Sequence, residues 1–258
     1  MMNALRLFDL TGKVAIVTGG GRGLGKQIAE GFAEAGAHVV VCSRNKEACL
    51  EVSQKLNDLG VDSLAMKCDV TNPEDVNRLV ETTVKKFGRI DILVNNSGAS
   101  WGAPTEEMPL AAWHKVMNVN TTGTFLMSQS VGKVMLEQEA GKIINIASIA
   151  GLKGTDPSTL DAIGYSASKG AVISFTKDLA VKWGPHGINV NAIAPGFFPT
   201  KMSKDVIANG SDRLLQNTPL KRFGDDKDLK GAAVFLASAA SDYVTGAIIV
   251  VDGGSNAM

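Results

Sequence analysis

Histidine and cysteine are scarce in this chain and scattered where they occur. His38, His114 and His186 show no ligand spacing, so no metal centre is predicted. Cys42, Cys49 and Cys68 are an odd set without metal spacing, which predicts reduced structural thiols in a cytoplasmic protein. Net charge is lacking too. The 26 Lys and Arg balance 26 Asp and Glu, so no global field recruits nucleic acid or an anionic membrane. No apolar run reaches the ~18 residues of a membrane-spanning helix. Met1 to Leu10 hold one Arg and no apolar core, unlike a signal peptide. Linkers, low-complexity tracts and charge blocks are also missing, so residues 1–258 are expected to form one domain.

What is present is apolar sequence in a regular alternation. Val14 to Val17 is a short, mostly β-branched run that suits a strand buried on both faces. Further strands are predicted at 37–42, 61–68, 90–94, 142–147, 188–193 and 247–251. Helices are predicted between them at 24–35, 45–59, from Pro73 to Gly88, from about Leu110 to Glu137, 164–183 and 225–239. Residues 195–219 read as irregular and short-helical, and as a lid over the ligand. Such alternation implies an α/β fold: right-handed βαβ units, one doubly wound, seven-stranded parallel sheet, and helices on both faces. Ligands in such sheets bind beyond the carboxyl ends of the strands.

The first such end carries Thr18-Gly19-Gly20-Gly21-Arg22-Gly23-Leu24-Gly25. Glycines at 19, 23 and 25 allow a tight turn, and the helix start offers free N–H groups to a pyrophosphate. A P-loop can be fitted to Gly20 to Lys26, but Gln27 stands where Ser or Thr should hold magnesium. After the second strand, where an acid would take the ribose hydroxyls of NAD, stand Ser43 and Arg44. With Arg22 nearby and no carboxylate, a 2′-phosphate is favoured, hence NADPH over NADH. Asp69, after the third strand, could accept from the adenine amino group or serve the cap region of the next helix.

Tyr165 and Lys169, four apart at the start of a predicted helix, would project from one face. An ammonium near a phenol lowers its pKa and fits it for proton transfer to a substrate oxygen. The stripe Ala171, Phe175 and Leu179 would pack on the chain's own sheet or on a second subunit. Trp101 and Trp113 flank the fourth-strand loop, as pocket lining or as core.

The ordered set Thr18-Gly19-x-x-x-Gly23-x-Gly25, Asn95-Asn96-Ser97-Gly98, Asn120, Ser148, Tyr165-x-x-x-Lys169 and Pro195-Gly196 resembles the short-chain dehydrogenase/reductases over essentially the whole chain. Pro195 to Met202 and Thr218 to Leu236 look like the gluconate 5-dehydrogenase-like members, with 3-oxoacyl-carrier-protein reductases next. The resemblance implies a Rossmann domain and a homo-oligomer, dimer or tetramer. It makes Tyr165 the general acid/base and Lys169 its partner at the nicotinamide ribose. Ser148 would bond the substrate oxygen, and Asn120 would hold a proton relay through a water. Pro195, Gly196 and Thr200 would position the nicotinamide carboxamide. Gly21, Leu24, Val70, Asn96, Gly98 and Phe198 would lie along the dinucleotide. Two departures stand out: Ser97 replaces the usual Ala, and the Ser148-to-Tyr165 interval is long, with the excess in residues 154–163.

These features imply an NADP(H)-dependent oxidoreductase acting on a small carbonyl or secondary alcohol, with a sugar acid such as gluconate/5-ketogluconate as substrate. The alternatives are a 3-oxoacyl-thioester reductase, for which Lys201, Lys204 and Arg213 would form a basic patch, and a non-catalytic nucleotide-binding regulator.

Overall fold

Seven apolar runs become the seven strands of one sheet. The computed structural model describes residues 3–258; Met1 and Met2 of the N-terminal stretch read above lie outside them. The strands are β1 (Val14–Thr18), β2 (His38–Ser43), β3 (Ser63–Lys67), β4 (Ile92–Asn95), β5 (Gly141–Ile146), β6 (Ile188–Pro195) and β7 (Ile248–Val251). They lie in the order β3-β2-β1-β4-β5-β6-β7, and every pairing is parallel. The order reverses between β1 and β4, which opens a crevice at their carboxyl ends.

The helices are α1 (Gly23–Glu34), α2 (Lys46–Asp58), α3 (Pro73–Phe87), α4 (Leu110–Met117), α5 (Gly123–Gln138), α6 (Ile163–Trp183), α7 (Lys204–Gln216) and α8 (Lys230–Ala237). Their limits follow from local chemistry. At α3, Asn72 accepts from the N–H groups of Glu74 and Asp75, Pro73 begins the helix, and Gly88 ends it at φ +77°.

Side chains that alternate along each strand feed two cores. Ala15, Val17, Val39 and Val41 pack with Ile28 and Phe32 of α1, Leu56 of α2 and Leu236 of α8. Ile16, Val40 and Leu93 face the other way, onto Leu79 of α3, Met127 and Val131 of α5 and Leu179 of α6. Phe175 packs beside Leu179 there, so this part of the α6 stripe faces the chain's own sheet.

Three elements differ from the sequence reading. The stretch from Leu110 is two helices joined by a π-helical turn at Asn118–Thr122. Residues 195–219 include a 13-residue helix, α7, kinked at Gly210 (φ −142°, ψ 20°). The last helix starts at Lys230 rather than Asp225 because the acids before it are spent on turns. The Asp225 carboxylate accepts from the Lys227 N–H at 2.8 Å, and the Asp228 carboxylate takes the Asp225 N–H at 2.7 Å and the Arg222 guanidinium.

Candidate active site

The carboxyl ends of the strands open on a cavity of about 1600 Å³. Its floor begins with the glycine turn. Gly19 (φ +64°) and Gly23 (φ +52°) have the left-handed backbone that the turn needs. Arg22, the residue before α1, provides no side-chain cap, so the helix's first N–H groups remain available to an anion. The turn is tied to β4: Asn96 Nδ2 donates to Thr18 O at 2.8 Å, and the Thr18 hydroxyl accepts from the Asn96 and Ser97 N–H groups at 2.9 and 3.0 Å.

Gly19, Gly21, Arg22, Gly23 and Leu24 line the cavity. Gly25 does not, contrary to its expected place beside the cofactor. A Cβ there would sit 2.6 Å from Gly19 O and against Asn96 Nδ2, so Gly25 acts by letting α1 approach the loop. Ser43, Arg44, Asp69 and Val70 line the far end. The Ser43 hydroxyl is held in its own turn, donating to Asn45 O at 2.8 Å. Neither Arg22 nor Arg44 has a carboxylate within 4 Å among the described residues. One Asp69 oxygen accepts from the N–H and hydroxyl of Thr71, and its N–H binds Asp75; the α3 cap itself is Asn72.

The opposite wall carries the reactive groups. Ser148 follows β5 and leads into a short 3-10 turn, Ile149–Gly151, its hydroxyl accepting from the Ala150 N–H at 3.2 Å. Tyr165 and Lys169 lie on the first turns of α6 and line the cavity with Ser148. Lys169 Nζ donates to Ile146 O at 2.6 Å and sits 5.6 Å from the centre of the Tyr165 ring. Burial pushes its ammonium down to about 8. Burial also pushes the Tyr165 hydroxyl up from its ordinary value, and the neighbouring Ser148 hydroxyl opposes this only in part. This reverses the expected lowering of the Tyr165 pKa: loss of water around the phenol outweighs any help from an ammonium that stands over the ring.

Asn120 is buried behind this wall, in the π-helical turn, and does not line the cavity. Its amide clasps the Ala99 main chain (2.7 and 2.9 Å) and donates to the Ser168 hydroxyl at 2.8 Å. Its carbonyl accepts from the Thr124 hydroxyl at 2.8 Å. Gly98 adjoins it; a Cβ there would meet Asn120 Oδ1 at 3.5 Å and Lys169 Nζ at 3.9 Å.

Pro195, Gly196, Phe198 and Thr200 close the top of the cavity. Gly196 lets β6 meet Asp252, whose Cα would be 2.8 Å from an added Cβ. The Phe198 ring is buried beneath Gly224. Trp101 is 43% exposed and Trp113 packs beside Gly164; neither lines the cavity. Thr155, Asp156, Thr159 and Leu160 line it, in the long interval expected to shape the pocket wall; Lys153, and Lys26, Gln27 and Asp226 near α1, line it without having been assigned. The unusual length of the interval was the available signal for the first group. Of the three cations read as a basic patch, Lys201 and Lys204 line the cavity, but Arg213 is spent on Asp156 at 3.0 Å. Among the described residues, no group of three or more His, Cys, Asp or Glu could hold a metal, and no helix is long and apolar enough to cross a membrane.

A parallel sheet of this order, an uncapped glycine turn at its switch point, and Ser, Tyr and Lys at one cavity wall define a class. The chain belongs to the short-chain dehydrogenase/reductase family, oxidoreductases that act on CH–OH groups with a nicotinamide dinucleotide. The family model described as enoyl-(acyl carrier protein) reductase matches residues 19–256. The chain is 40% identical to the 5-keto-D-gluconate 5-reductase of Escherichia coli K12, over 96% of this chain and 97% of that one. It is also 40% identical to the 3-oxoacyl-[acyl-carrier-protein] reductase of Synechocystis, over 95% and 97%. The crystal structure of a gluconate 5-dehydrogenase from Burkholderia cenocepacia, in complex with NADP and tartrate, superposes with a TM-score of 0.94 at 38% identity, covering 99% and 100% of the two chains.

Proposed function

We propose that this chain is an NADP(H)-dependent oxidoreductase of a polyhydroxylated sugar acid, interconverting a 5-ketogluconate-like ketone and its alcohol. One observation carries the reading: Ser148, Tyr165 and Lys169 share one cavity with an uncapped α1 and two arginines that have no carboxylate partner. The residues fit a dinucleotide phosphate. Gly19, Gly21 and Gly23 let the backbone approach a pyrophosphate, and Arg22 and Arg44 suit a 2′-phosphate. Gly98, Pro195, Gly196 and Thr200 would border the nicotinamide end. When bound, NADPH supplies the hydride.

The remaining chemistry belongs to the chain. Ser148 donates a hydrogen bond to the substrate oxygen and stabilises its developing charge. Tyr165 gives that oxygen a proton in reduction and takes it back in oxidation. Burial raises its pKa, so the hydroxyl enters the reaction as the neutral phenol. Lys169 fixes the tyrosine's surroundings from Ile146 O, and Asn120 braces the wall behind it. Residues 195–219 serve as the lid of a single domain. We further propose a homo-oligomer, supported by exposed Phe125 on α5 and Val181 on α6, in a reducing cytoplasm, supported by three free thiols.

A 3-oxoacyl thioester is the second reading, favoured by the likeness to the Synechocystis reductase and by Lys201 and Lys204 in the cavity wall. Steady-state reduction of 5-ketogluconate, with NADPH and with NADH, beside a 3-oxoacyl thioester, tests both. NADPH-linked activity on the sugar acid is expected. A preference for the thioester would move the substrate and leave the chemistry standing, and a preference for NADH would overturn the role of the two arginines.

A further inference from the structure

Lys153 is a cation without an anion in the cavity that holds the reactive groups. It stands five residues after Ser148, just beyond the Ile149–Gly151 turn, and lines the cavity with Ser148 and Tyr165. The turn beneath it is fixed. A Cβ at Gly151 would come within 2.6 Å of the Lys169 main-chain carbon, so the turn sits directly on α6. The Lys153 N–H donates back to Ile149 O at 3.3 Å.

The other end of the side chain is tethered as well. Its ammonium donates to the main-chain carbonyl of Ser255, whose hydroxyl meets the Thr218 hydroxyl at 3.0 Å. A carbonyl uses one of three N–H donors and cancels no charge. No carboxylate lies within 4 Å of Lys153 among the described residues. Asp156 is paired with Arg213, and Asp252 accepts the N–H groups of Gly254 and Asn256 at 2.9 and 2.6 Å. The Lys153 side chain is exposed at the cavity's edge and has two donors free for a charge-assisted hydrogen bond.

We propose that Lys153 anchors the carboxylate of the substrate and so sets the preference for sugar acids over neutral sugars. This rests on the sugar-acid reading above. An acid bound by Lys153 at one end would present its carbonyl to Ser148 and Tyr165 at the other.

The test compares the wild type with Lys153→Gln and Lys153→Arg on 5-ketogluconate and on neutral L-sorbose. Calorimetry of gluconate binding to the NADP-loaded enzyme accompanies the kinetics. Lys153→Gln is expected to raise KM for the acid about tenfold or more, with kcat within about threefold and sorbose turnover unchanged. Lys153→Arg should restore most of the lost affinity. An acid-to-sorbose ratio that Lys153→Gln leaves within twofold of wild type overturns the anchor and spares the function. Inactivity of the wild type on the acid overturns the substrate reading instead. The anchor then stands if gluconate binding is lost in Lys153→Gln and falls if the two proteins bind alike or neither binds.

Discussion

The two walls of the cavity are built on different principles. The glycine-turn wall is made of main chain in close approach, braced by buried hydrogen bonds. The Thr18 hydroxyl alone donates to Val94 O and accepts from two N–H groups of the next loop. Residues 154–163 and 195–219 make the facing wall from longer side chains. They are joined by the Arg213–Asp156 pair, whose side chains are 46% and 57% exposed. The first wall can bind a ligand whose shape never changes, and the second can be altered without disturbing the first. Ser148, Tyr165 and Lys169 stand on that facing wall, at its seam with the sheet.

The largest effect should come from that seam. Tyr165→Phe removes a proton donor while leaving the ring and its packing, so turnover should fall about 10³-fold. Affinity for NADPH should stay within about threefold of wild type, because the glycine-turn wall is untouched. Stopped-flow turnover beside NADPH titration by fluorescence checks both. Unchanged turnover would remove Tyr165 from the chemistry. Turnover and binding lost together would mean that the two walls are not separable.

Lys169 sharpens the comparison from the side of stability. Its ammonium is buried, and its pKa is depressed from 10.5 to about 8. Below pH 8 both the folded and the unfolded chain hold this proton, and burying the charge costs stability in full. Between about 8 and 10.5 the unfolded chain holds more protons than the folded one, so stability rises with pH. Tyr165, shifted above 10, adds no opposing change through most of that window. Relative to Lys169→Met, the wild type should gain about 2 kcal/mol between pH 7 and pH 10 in urea unfolding. A gap that does not change with pH would show that the ammonium is not desolvated.

Two glycines compare the walls directly. At Gly25 a Cβ would press on Gly19 O at 2.6 Å, whereas at Gly154 an added Cβ meets nothing within 4 Å. Gly25→Ala should cost about 2 kcal/mol and lower Tm by roughly 4 to 8 °C. Gly154→Ala should stay within about 0.5 kcal/mol of wild type. Calorimetric scans of both variants give the result, and equal losses would erase the contrast between a main-chain wall and a tolerant one.

The same contrast explains what was legible in the sequence. The strand runs, the glycine turn, the Tyr165–Lys169 spacing and the order of the motifs are local patterns with fixed periods, and the observed sheet follows them. What depended on distant partners could not be seen. The π-helical turn at Asn118–Thr122 has no Pro to mark it; Asn120 with Thr121, Thr122 and Gly123 hinted at a bend there but not at its form. The late start of α8 depends on Arg222 and Asp228 finding each other. Tyr165 was expected to have a lowered pKa because spacing brings Lys169 near it. Spacing does not show that both are desolvated, nor that the ammonium lies over the ring. Lys153 was one charge among many until Ser255, about 100 residues on, came to hold it.

The smallest effect belongs to the link across the substrate wall. Arg213 on α7 reaches the Asp156 carboxylate and the Ser158 hydroxyl, and so joins this kinked helix to the long interval after Ser148. The contact looks like a latch, but both partners are about half exposed, and such pairs contribute roughly 0 to 1 kcal/mol. Arg213→Ala should therefore leave Tm within about 4 °C of wild type. The free-energy scale allows a change in substrate KM of up to about fivefold. Added salt should shrink that change, because exposed charges are screened within about 10 Å at 0.1 M. Asp156→Asn should give the same shift, and the double variant no more than either single one. A KM change well above fivefold that persists in high salt would mean that α7 and the interval are packed as firmly as the glycine turn.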